Sequence, residues 1–504
     1  MKFNRKSAGL LTAVLSFLLI YFFADLEPGN QVLTSALAIT VFMAILWVTE
    51  AIPLAVTALI PVVLFPLFGI SNGREVSSTY FNHIIFLFIG GFIMALPMEK
   101  WNLHRRIALR ILMAVGVSPL RIIFGFMFAT AFLSMWISNT ATTMMMIPIV
   151  LSVTSKLEDA LGKENTVKFT TGILLALAYS ASVGGMATLV GTPGNLICVR
   201  MVSMLFPGAP EPSFTQWLFF AFPISVTMFV IIFFLIYLLF KPKVKWQQMD
   251  TKTFQEQYTA LGKVTKEQKI VFALFVSLAL LWIFRSDIQT GLVTIPGWSN
   301  ILKYPQFIND GTVAVAIAIL LFMIPAPGNK GKKIMDWETA KRLPWNIVIL
   351  FGGGFALALG FEASGLSVWF GEQFEWTHGI NPYLILLVIL LAMSLLTELT
   401  SNVASTQMLL PPFAMLAVSS GNNPLLFMIP VTLASSLAFM LPTATPPNAI
   451  VFGTQKISIP EMVRTGFLIN IIGVLVVVLF TYFLGDALFD IAPGELPVWV
   501  GSDN

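Results

Sequence analysis

The sequence predicts an all-α membrane protein whose two halves are related by an internal repeat of opposite orientation. Three observations lead to this fold class. Of its 504 residues, 57% are hydrophobic and only 11% are charged, whereas soluble proteins carry about 25% charged residues. Several uncharged stretches are long enough to cross a bilayer, and similar motifs recur in the two halves at nearly constant spacing.

The uncharged stretches set the membrane-spanning elements. Residues 214–240 and 465–485 contain no charged side chain, and each exceeds the roughly 20 residues that cross a bilayer as a helix. Residues 7–24, 31–49 and 311–329 are only slightly shorter. The first of these follows a basic start, as in a signal peptide, but it ends without a small-residue cleavage site. We interpret it as an uncleaved first span.

Basic residues between the spans indicate the orientation, because short cytoplasmic loops are enriched in Lys and Arg. The N-terminus, the loop 241–269 with its seven lysines, and the loop 330–342 are basic, so we expect them inside. The tail after Leu484 has no Lys or Arg, so we expect it outside. These ends require an odd number of crossings, and we expect about 11 in the inner (plasma) membrane. The loop 241–269 is polar and predicts an amphipathic helix.

An offset of 263 residues relates the two halves. Basic residues follow the first-half helix at Lys100 and Arg105, but they precede its counterpart at Lys341 and Arg342. The positive-inside rule therefore gives counterpart helices opposite orientations. Inverted repeats are an architecture of secondary transporters, with substrate bound between the halves. Residue types that recur at this offset include Phe88 and Phe351, Gly90 and Gly353, Ser138 and Ser401, and Asn139 and Asn402.

The spans, loops and repeat divide the chain into five parts, and no separate soluble domain fits between them. We expect N-terminal scaffold helices in 1–80, a first repeat in 81–240, a cytoplasmic linker in 241–269, scaffold helices of the second half in 270–341, and a second repeat in 342–504.

Each half contains a short polar motif inside an apolar run, SNT at 138–140 and SNV at 401–403. Such side chains compete with the backbone for hydrogen bonds and so break or cap helices. At membrane depth a break survives only beside protein or a wet cavity. Its carbonyl oxygens then suit a cation, and its free N–H groups suit an anion. Such a motif can also merely bond neighbouring helices, but its recurrence at equivalent positions favours a binding site.

A second polar pair lies later in each half. Residues 191–195 (GTPGN) and 444–448 (ATPPN) match at an offset of 253. Proline beside glycine or alanine in apolar sequence is not compatible with a continuous helix. Ordinary proline kinks would explain either segment alone, yet the shared Thr-Pro-x-Asn pattern indicates a second pair of breaks at the site.

Few charged side chains accompany these motifs. Glu398 lies three residues before Ser401, and Glu50 ends an apolar run. An acid at membrane depth is a candidate for function, such as proton relay, and the alternative is a carboxylate paired with a buried donor or with a basic neighbour at the interface. The motif segments contain no Arg or Lys, so an anionic substrate needs bound cations and amide dipoles to balance its charge. This favours cation-coupled uptake.

The composition disfavours other classes of function. The net charge of +4 comes from basic residues between spans, which determine topology and do not indicate a nucleic-acid partner. The three His residues have no metal-ligand spacing, and the single Cys198 excludes an internal disulfide. An intramembrane enzyme would need acidic metal ligands or a nucleophile–base pair, and the motif segments offer only Glu398. The glycines at 90–91 and 352–354 predict close helix packing.

Five segments together resemble the divalent anion/sodium symporter family, whose members carry dicarboxylates, citrate or sulfate. The resemblance covers nearly the whole chain. It implies a homodimer with a scaffold domain and a transport domain, two re-entrant hairpins, and an elevator-type mechanism. The segments are WVTEAIPL (47–54), SMWISNTATTMMMIPI (134–149), GGMATLVGTPGN (184–195), TELTSNVAST (397–406) and PTATPPNAIVFGT (442–454).

The resemblance also implies the site residues. Val403 replaces a Thr of the family pattern and offers only its backbone, and Gly194 replaces a Pro and loosens that turn. One Na⁺ site would use Ser134, Ser138, Asn139 and Gly191. A second would use Thr397, Thr400, Asn402 and Ala444. The carboxylates would be held by Asn139, Thr140, Thr192, Ser401, Asn402, Val403 and Thr445.

We therefore expect Na⁺-coupled uptake of a C4-dicarboxylate such as succinate, malate or fumarate, with at least two Na⁺ ions. A Na⁺-independent dicarboxylate exchanger is the nearest alternative, and citrate and sulfate are alternative substrates. A channel is a further alternative, but inverted repeats with broken helices fit alternating access better.

Overall fold

The chain folds almost entirely into α-helices. The computed structural model describes residues 5–242, 252–289, 293–329 and 331–500. Within these ranges the strands are a two-residue antiparallel pair, β1 (Ile288–Gln289) and β2 (Thr294–Ile295). Residues 243–251 of the predicted linker and residues 501–504 of the C-terminal tail lie outside the described residues.

Five helices precede the first repeat. The predicted span at 31–49 forms one helix with the same bounds, and the first span begins at Arg5. These helices are α1 (Arg5–Phe23), α2 (Gln31–Thr49), α3 (Leu54–Thr57), α4 (Ile60–Leu67) and α5 (Gly73–Ser78).

The first repeat contains seven helices, and four helices follow in the described part of the next segment. The first-repeat helices are α6 (His83–Lys100), α7 (Leu103–Val115), α8 (Pro119–Ser134), α9 (Asn139–Leu161), α10 (Lys163–Met186), α11 (Pro193–Leu205) and α12 (Phe214–Phe240). The segment that follows contains α13 (Lys252–Ala260), α14 (Lys266–Ile283), α15 (Asp310–Met323) and α16 (Trp337–Ala340), with 3-10 turns at Trp298–Ile301 and Pro305–Phe307.

Seven further helices follow in the same order as the first seven. They are α17 (Trp345–Ala363), α18 (Leu366–Gln373), α19 (Pro382–Thr397), α20 (Asn402–Ser419), α21 (Leu425–Ser435), α22 (Pro446–Phe452) and α23 (Ile459–Phe489), with 3-10 turns at Glu375–Thr377 and Val498–Val500.

The helix boundaries repeat the sequence offsets. Helices α7, α8 and α9 begin 263 residues before α18, α19 and α20, and α11 begins 253 residues before α22. Helices α8 and α19 each have 16 residues, which gives a length of about 24 Å. That is shorter than the roughly 30 Å hydrocarbon core of a bilayer. Two short helices that each end at a polar motif are consistent with the expected re-entrant hairpins.

The number of membrane crossings stays a prediction. Eight helical segments of the described chain are long and apolar enough to cross a bilayer, and six shorter apolar helices accompany them. The uncharged run 311–329 is helical only to Met323. Pro325 and Pro327 follow, and a residue before proline is disfavoured in the α conformation.

Glycines allow the closest helix contacts, as predicted. A Cβ atom on Gly90 of α6 would lie 2.5 Å from the Ala314 side chain of α15. A Cβ on Gly353 of α17 would lie 2.5 Å from the backbone of Ala58 beside α3. No real Cβ atom tolerates such distances, so these backbones approach as closely as they do only because the side chain is absent.

In each repeat, the helix that follows the Thr-Pro-x-Asn break packs against helices of the other repeat. Helix α11 of the first repeat packs on α17, α20 and α21, while α22 of the second repeat packs on α9 and α10. The apolar part of α10 is entirely buried in the centre of the molecule. A large apolar core runs through both repeats, and a second cluster joins α2 and α4 to α17 and α18. The repeats therefore form one interlocked body.

Charged contacts fix the basic end of α6. Lys100 donates to Asp336 over 2.5 Å, and this hydrogen bond lowers the pKa of Asp336 to about 2. The Arg106 guanidinium donates to the carbonyls of Leu261 and Gly262, where the predicted linker helix α13 packs on α7. At the other end of α6, His83 Nε2 lies 3.1 Å from the carboxylate of Glu211, and both side chains are about one-third exposed.

Candidate functional site

The first polar motif interrupts the chain between α8 and α9. Helix α8 ends at Ser134, and Ser138 caps α9 by accepting a hydrogen bond from the Ala141 N–H. The Ser134 hydroxyl contacts two acceptors, the Ala181 carbonyl at 2.7 Å and the Asn139 side-chain Oδ1. A serine hydroxyl has one proton, so these three oxygens share a single hydrogen.

The second motif repeats this arrangement between α19 and α20. The Thr397 hydroxyl lies 2.7 Å from Asn402 Oδ1 and 2.9 Å from the Ser435 carbonyl oxygen. Again one proton serves three oxygens. Each half therefore contains an oxygen triad: Ser134, Asn139 and Ala181 in the first, and Thr397, Asn402 and Ser435 in the second. Close oxygens with too few protons repel one another, and a bound cation relieves that repulsion.

The second motif also differs locally from the first. The Thr400 hydroxyl contacts the Leu396 carbonyl at 3.0 Å and the hydroxyl of Ser405. Ser401 precedes α20 without a side-chain cap bond, whereas Ser138 caps its helix. The Ser401 hydroxyl is therefore not engaged in capping.

The Thr-Pro-x-Asn segments form the second pair of breaks, as predicted. The chain is non-helical at 187–192, between α10 and α11, and at 436–445, between α21 and α22. Asn195 Nδ2 donates to the carbonyls of Met186 and Thr188 at 3.3 and 2.7 Å. Asn448 Nδ2 donates to the carbonyls of Ala438 and Leu441, both at 3.0 Å.

The four breaks surround one cavity of about 1070 Å³. Ser134 and Thr397 do not line it, because they lie fully buried behind the two asparagines. Every other residue that the sequence assigned to the site lines it: Ser138, Asn139, Thr140, Gly191, Thr192, Thr400, Ser401, Asn402, Val403, Ala444 and Thr445. The structure thus brings the whole predicted set together, and the ligand that each residue binds stays a prediction.

Helix N-termini converge on this cavity. Helices α9, α11 and α20 begin at Asn139, Pro193 and Asn402, all of which line it. The first N–H groups of a helix have no partner within the helix, and each N-terminus carries about half a positive charge. The cavity is therefore suited to an anion although no basic side chain belongs to the motifs.

Sequence reasoning missed the opposite wall of the cavity. This wall contains Phe92 of α6, residues from the N-terminal helices and the first turn of α17. The family segment 47–54 was the available indication, but it was not assigned to the site. The charged lining residues of the described chain are Lys6 and Glu50, and both are exposed.

Glu398 is paired with buried donors. Its carboxylate accepts hydrogen bonds from the N–H groups of Met440 and Leu441 at 2.8 and 2.9 Å, and from Asn470 Nδ2 at 2.7 Å. It is 3% exposed and does not line the cavity. This geometry confirms the paired-carboxylate alternative. It ties the second motif to the break at 436–445 and to α23.

Hard oxygen ligands dominate the site. In the part of the chain that is described, no three His, Cys, Asp or Glu side chains cluster as metal ligands. Hydroxyl, amide and carbonyl oxygens prefer hard cations over soft transition metals. The site thus combines two oxygen triads beside the cavity, suited to a small hard cation, with helix N-termini at the cavity, suited to an anion.

Comparisons with known proteins agree with this geometry. A family model described as the sodium:sulfate symporter transmembrane region matches residues 5–491. The chain is 42% identical to a sodium-dependent dicarboxylate transporter of Staphylococcus saprophyticus, over 94% of this chain and 91% of that one. It is also 42% identical to the protein of the same name in Staphylococcus aureus, over 94% and 90%.

Two solved structures share the fold at low sequence identity. The Alcanivorax borkumensis YdaH transporter aligns with a TM-score of 0.55 at 13% identity, covering 83% of this chain and 90% of that one. Neisseria gonorrhoeae MtrF aligns with a TM-score of 0.55 at 14% identity, covering 95% and 99%.

Proposed function

The chain belongs to the sodium:sulfate symporter family, the divalent anion/sodium symporters that its motifs resemble, and from that membership we propose that it couples Na⁺ to the uptake of a C4-dicarboxylate. Succinate, malate and fumarate are the expected substrates. The chain is a multi-pass membrane transporter, and no enzymatic activity is proposed. The relatives at 42% identity are named sodium-dependent dicarboxylate transporters, which supports dicarboxylate over sulfate or citrate.

The two oxygen triads carry the Na⁺ part of the proposal. Each joins a hydroxyl, an amide oxygen and a backbone carbonyl with a single shared proton. A cation at each triad would be completed by oxygens from the neighbouring break. We assign Ser134, Ser138, Asn139 and Gly191 to one ion, and Thr397, Thr400, Asn402 and Ala444 to the other. At least two Na⁺ ions therefore accompany each substrate.

The substrate would bind between the two motifs. Its carboxylates would accept hydrogen bonds from backbone N–H groups at the helix starts and from hydroxyl and amide side chains. The assigned residues all line the cavity: Asn139, Thr140, Thr192, Ser401, Asn402, Val403 and Thr445. Asn139 and Asn402 belong to both sets, so ion binding and substrate binding would share two side chains.

Charge balance explains why Na⁺ would be required. A dicarboxylate near neutral pH carries about two negative charges, and desolvating them without compensation costs several kcal/mol per charge. The motif segments contain no Lys or Arg. Two bound Na⁺ ions neutralise the substrate, and the helix N-termini contribute the remaining attraction.

We propose an elevator-type cycle in a homodimer, as the family resemblance implies. The motifs form one wall, and the N-terminal helices with the first turn of α17 contribute the other. A second apolar cluster packs α2 and α4 against α17, α18 and Ala404 at the start of α20. We propose that residues 1–80 and 270–341 supply the scaffold, and that the motif-bearing parts of 81–240 and 342–504 carry the substrate across, with 241–269 as a cytoplasmic linker.

Transport into proteoliposomes tests the function directly. Labelled succinate should accumulate with an inward Na⁺ gradient and not in choline medium, and Asn139→Ala should abolish the uptake. Unlabelled fumarate and malate should compete, whereas citrate and sulfate should compete weakly. Equal uptake in sodium and choline would overturn Na⁺ coupling in favour of dicarboxylate exchange. Uptake of sulfate or citrate instead of succinate would overturn the substrate assignment.

A further inference from the structure

Two asparagines behind the cavity have no role in the proposed site. Asn195 and Asn448 occupy the same place in the two Thr-Pro-x-Asn segments, in the first turns of α11 and α22. Both are completely buried, and neither lines the cavity. Their shared environment, described next, indicates that they act on the backbone of the breaks.

Each amide closes a loop of backbone. Asn195 reaches back to Met186, the last residue of α10, and to Thr188 within the break. Asn448 reaches back to Ala438 and Leu441 within the other break. In both halves one Nδ2 group donates its two protons to two carbonyls. Each break is therefore clamped to the first turn of the helix that follows it.

The side-chain oxygen of each of these two asparagines lacks a hydrogen-bond partner among the described residues. Oδ1 of Asn195 and Oδ1 of Asn448 are buried, and neither has a hydrogen-bond partner among the described residues. A buried polar atom without a partner costs about 1–3 kcal/mol. An apolar side chain of similar size would avoid that cost at both positions. Both halves nevertheless place an asparagine here with its Oδ1 unpaired. This indicates that the hydrogen bonds donated by each Nδ2 group are needed.

The bonds around each break do not engage the carbonyl that the proposed Na⁺ site assigns to the ion. Around the first break, the Gly191 N–H donates to Thr188, and the Thr188 hydroxyl donates to the Met135 carbonyl at 2.5 Å. Around the second, the Ala444 N–H donates to the Leu441 carbonyl at 3.2 Å. None of these bonds, nor those of the two amides, engages the carbonyl oxygens of Gly191 and Ala444. These are the break residues assigned to the two Na⁺ sites.

We propose that Asn195 and Asn448 are positioning residues for Na⁺ binding, one for each half. By occupying neighbouring carbonyls, each amide fixes the break in the shape that presents Gly191 or Ala444 to the ion. This inference rests on the proposed function, because it takes the Na⁺ sites as given. It adds two buried side chains that touch neither ion nor substrate.

Leucine substitution separates this role from simple packing. Asn195→Leu and Asn448→Leu keep the approximate volume, remove both donors and also remove the unsatisfied oxygen. A packing role predicts unchanged Na⁺ dependence. A positioning role predicts that the Na⁺ concentration giving half-maximal protection against thermal unfolding rises about tenfold or more, as for residues that orient metal ligands. The purified full chain is measured in NaCl and choline chloride mixtures of constant ionic strength.

Asn422→Leu is the matched control. Asn422 is also buried and donates Nδ2 to a backbone carbonyl, that of Ser420, but it lies in the turn between α20 and α21, away from the cavity. Its variant should lower the melting temperature in choline without changing Na⁺ dependence. Wild-type Na⁺ dependence in both leucine variants at the sites would overturn the inference.

Two further results would separate a failure of this inference from a failure of the proposed function. If a leucine variant does not fold, Asn195→Ser and Asn448→Ser retain one donor and should show a severalfold rise in the Na⁺ requirement. An unchanged Na⁺ requirement in these serine variants overturns the inference. Thermal stability of the unsubstituted protein that does not depend on Na⁺ would overturn the proposed function itself, and with it the inference.

Discussion

Glu398 is a buried carboxylate whose partners are all neutral donors. Two backbone N–H groups and the Asn470 amide hold its oxygens, and within the described chain no Lys, Arg or His forms an ion pair with it. Its counterpart at the 263-residue offset is Met135, whose carbonyl accepts the Thr188 hydroxyl. The two halves therefore attach their breaks by different chemistry, with a charge in the second half only.

Replacing Glu398 by Gln should destabilise the fold. A glutamine offers one acceptor oxygen and turns an NH₂ group toward donors, so at least one hydrogen bond to a charged group is lost. Such bonds contribute about 1.5–3 kcal/mol each, and we expect the free energy of unfolding to fall by about 2 kcal/mol. The measurement is the melting temperature of the purified protein in detergent, with and without Na⁺.

Glu50→Gln is the control for this change, because Glu50 is an exposed acid at the cavity. It should leave the melting temperature nearly unchanged. Equal stability of the Glu398→Gln protein and the unsubstituted protein would show that the three hydrogen bonds to Glu398 do not stabilise the fold.

At the residue level, side-chain motifs were predictable and their backbone partners were not. The serine–asparagine motifs could be found because polar side chains in apolar runs are conspicuous. The carbonyls of Ala181 and Ser435, which complete the oxygen triads, belong to residues about 40 positions away. A backbone carbonyl has no sequence signature, so only the fold identifies it.

Among the helices, α6 and α15 make one of the closest contacts. Gly90 faces the backbone and the side chain of Ala314, so the two helices touch without an intervening side chain. Close approach of this kind replaces hydrophobic burial as a source of stability in membranes, where packing of small residues holds helices together.

A methyl group at this contact should separate the helices. Gly90→Ala would place its Cβ 2.5 Å from the Ala314 side chain, and overpacking of this kind costs about 1–3 kcal/mol. The melting temperature of the variant should fall. Gly73→Ala is the matched control, because the nearest atom lies 3.8 Å away at the exposed start of α5. A melting temperature for Gly90→Ala equal to that of the control would contradict the packing role.

Helices could be predicted from the sequence where charged residues or helix-breaking residues marked their ends. The span at 214–240 is uncharged over its whole length and forms α12 with the same bounds. The linker helix was expected from polarity, and α13 is present, but the hydrogen bond from Arg106 to the Leu261 carbonyl just after it could not be predicted, because the two residues lie 155 positions apart. Helix crossings that depend on long-range packing, such as α11 on α20, also had no local indication.

At the scale of the whole molecule, the cavity opens toward one side of the membrane. It is lined by Lys6 at the start of α1, by Glu50 after α2, and by Pro344 and Asn346 at the start of α17. If the basic segments lie inside as predicted, all three helix ends face the cytoplasm. The structure then represents a state that is open to the cytoplasm.

Cysteine labelling in intact cells should establish this orientation. Lys332→Cys should label only after the membrane is permeabilised, and Asn300→Cys should label from outside. Asn300 is chosen because it is exposed, whereas its neighbour Ser299 is buried. Cys198 is fully buried, so the unsubstituted protein provides a low background. The expected cytoplasmic position Lys252 and the expected external position Asp503 extend the test, although Asp503 lies outside the described residues.

Outside labelling at position 332 would contradict the inverted arrangement of the repeats. It would also reverse the side to which the cavity opens.

The contact between His83 and Glu211 has a kinetic consequence. The first turn of α17 lines the present opening, and its counterpart at the 263-residue offset is the first turn of α6, which includes His83. If the repeats exchange shapes during transport, that turn must become exposed and the contact between His83 and Glu211 must separate in every cycle. A partly exposed pair contributes at most about 1 kcal/mol, which slows such a step by about fivefold. The contact therefore favours the closed outer end by no more than this amount.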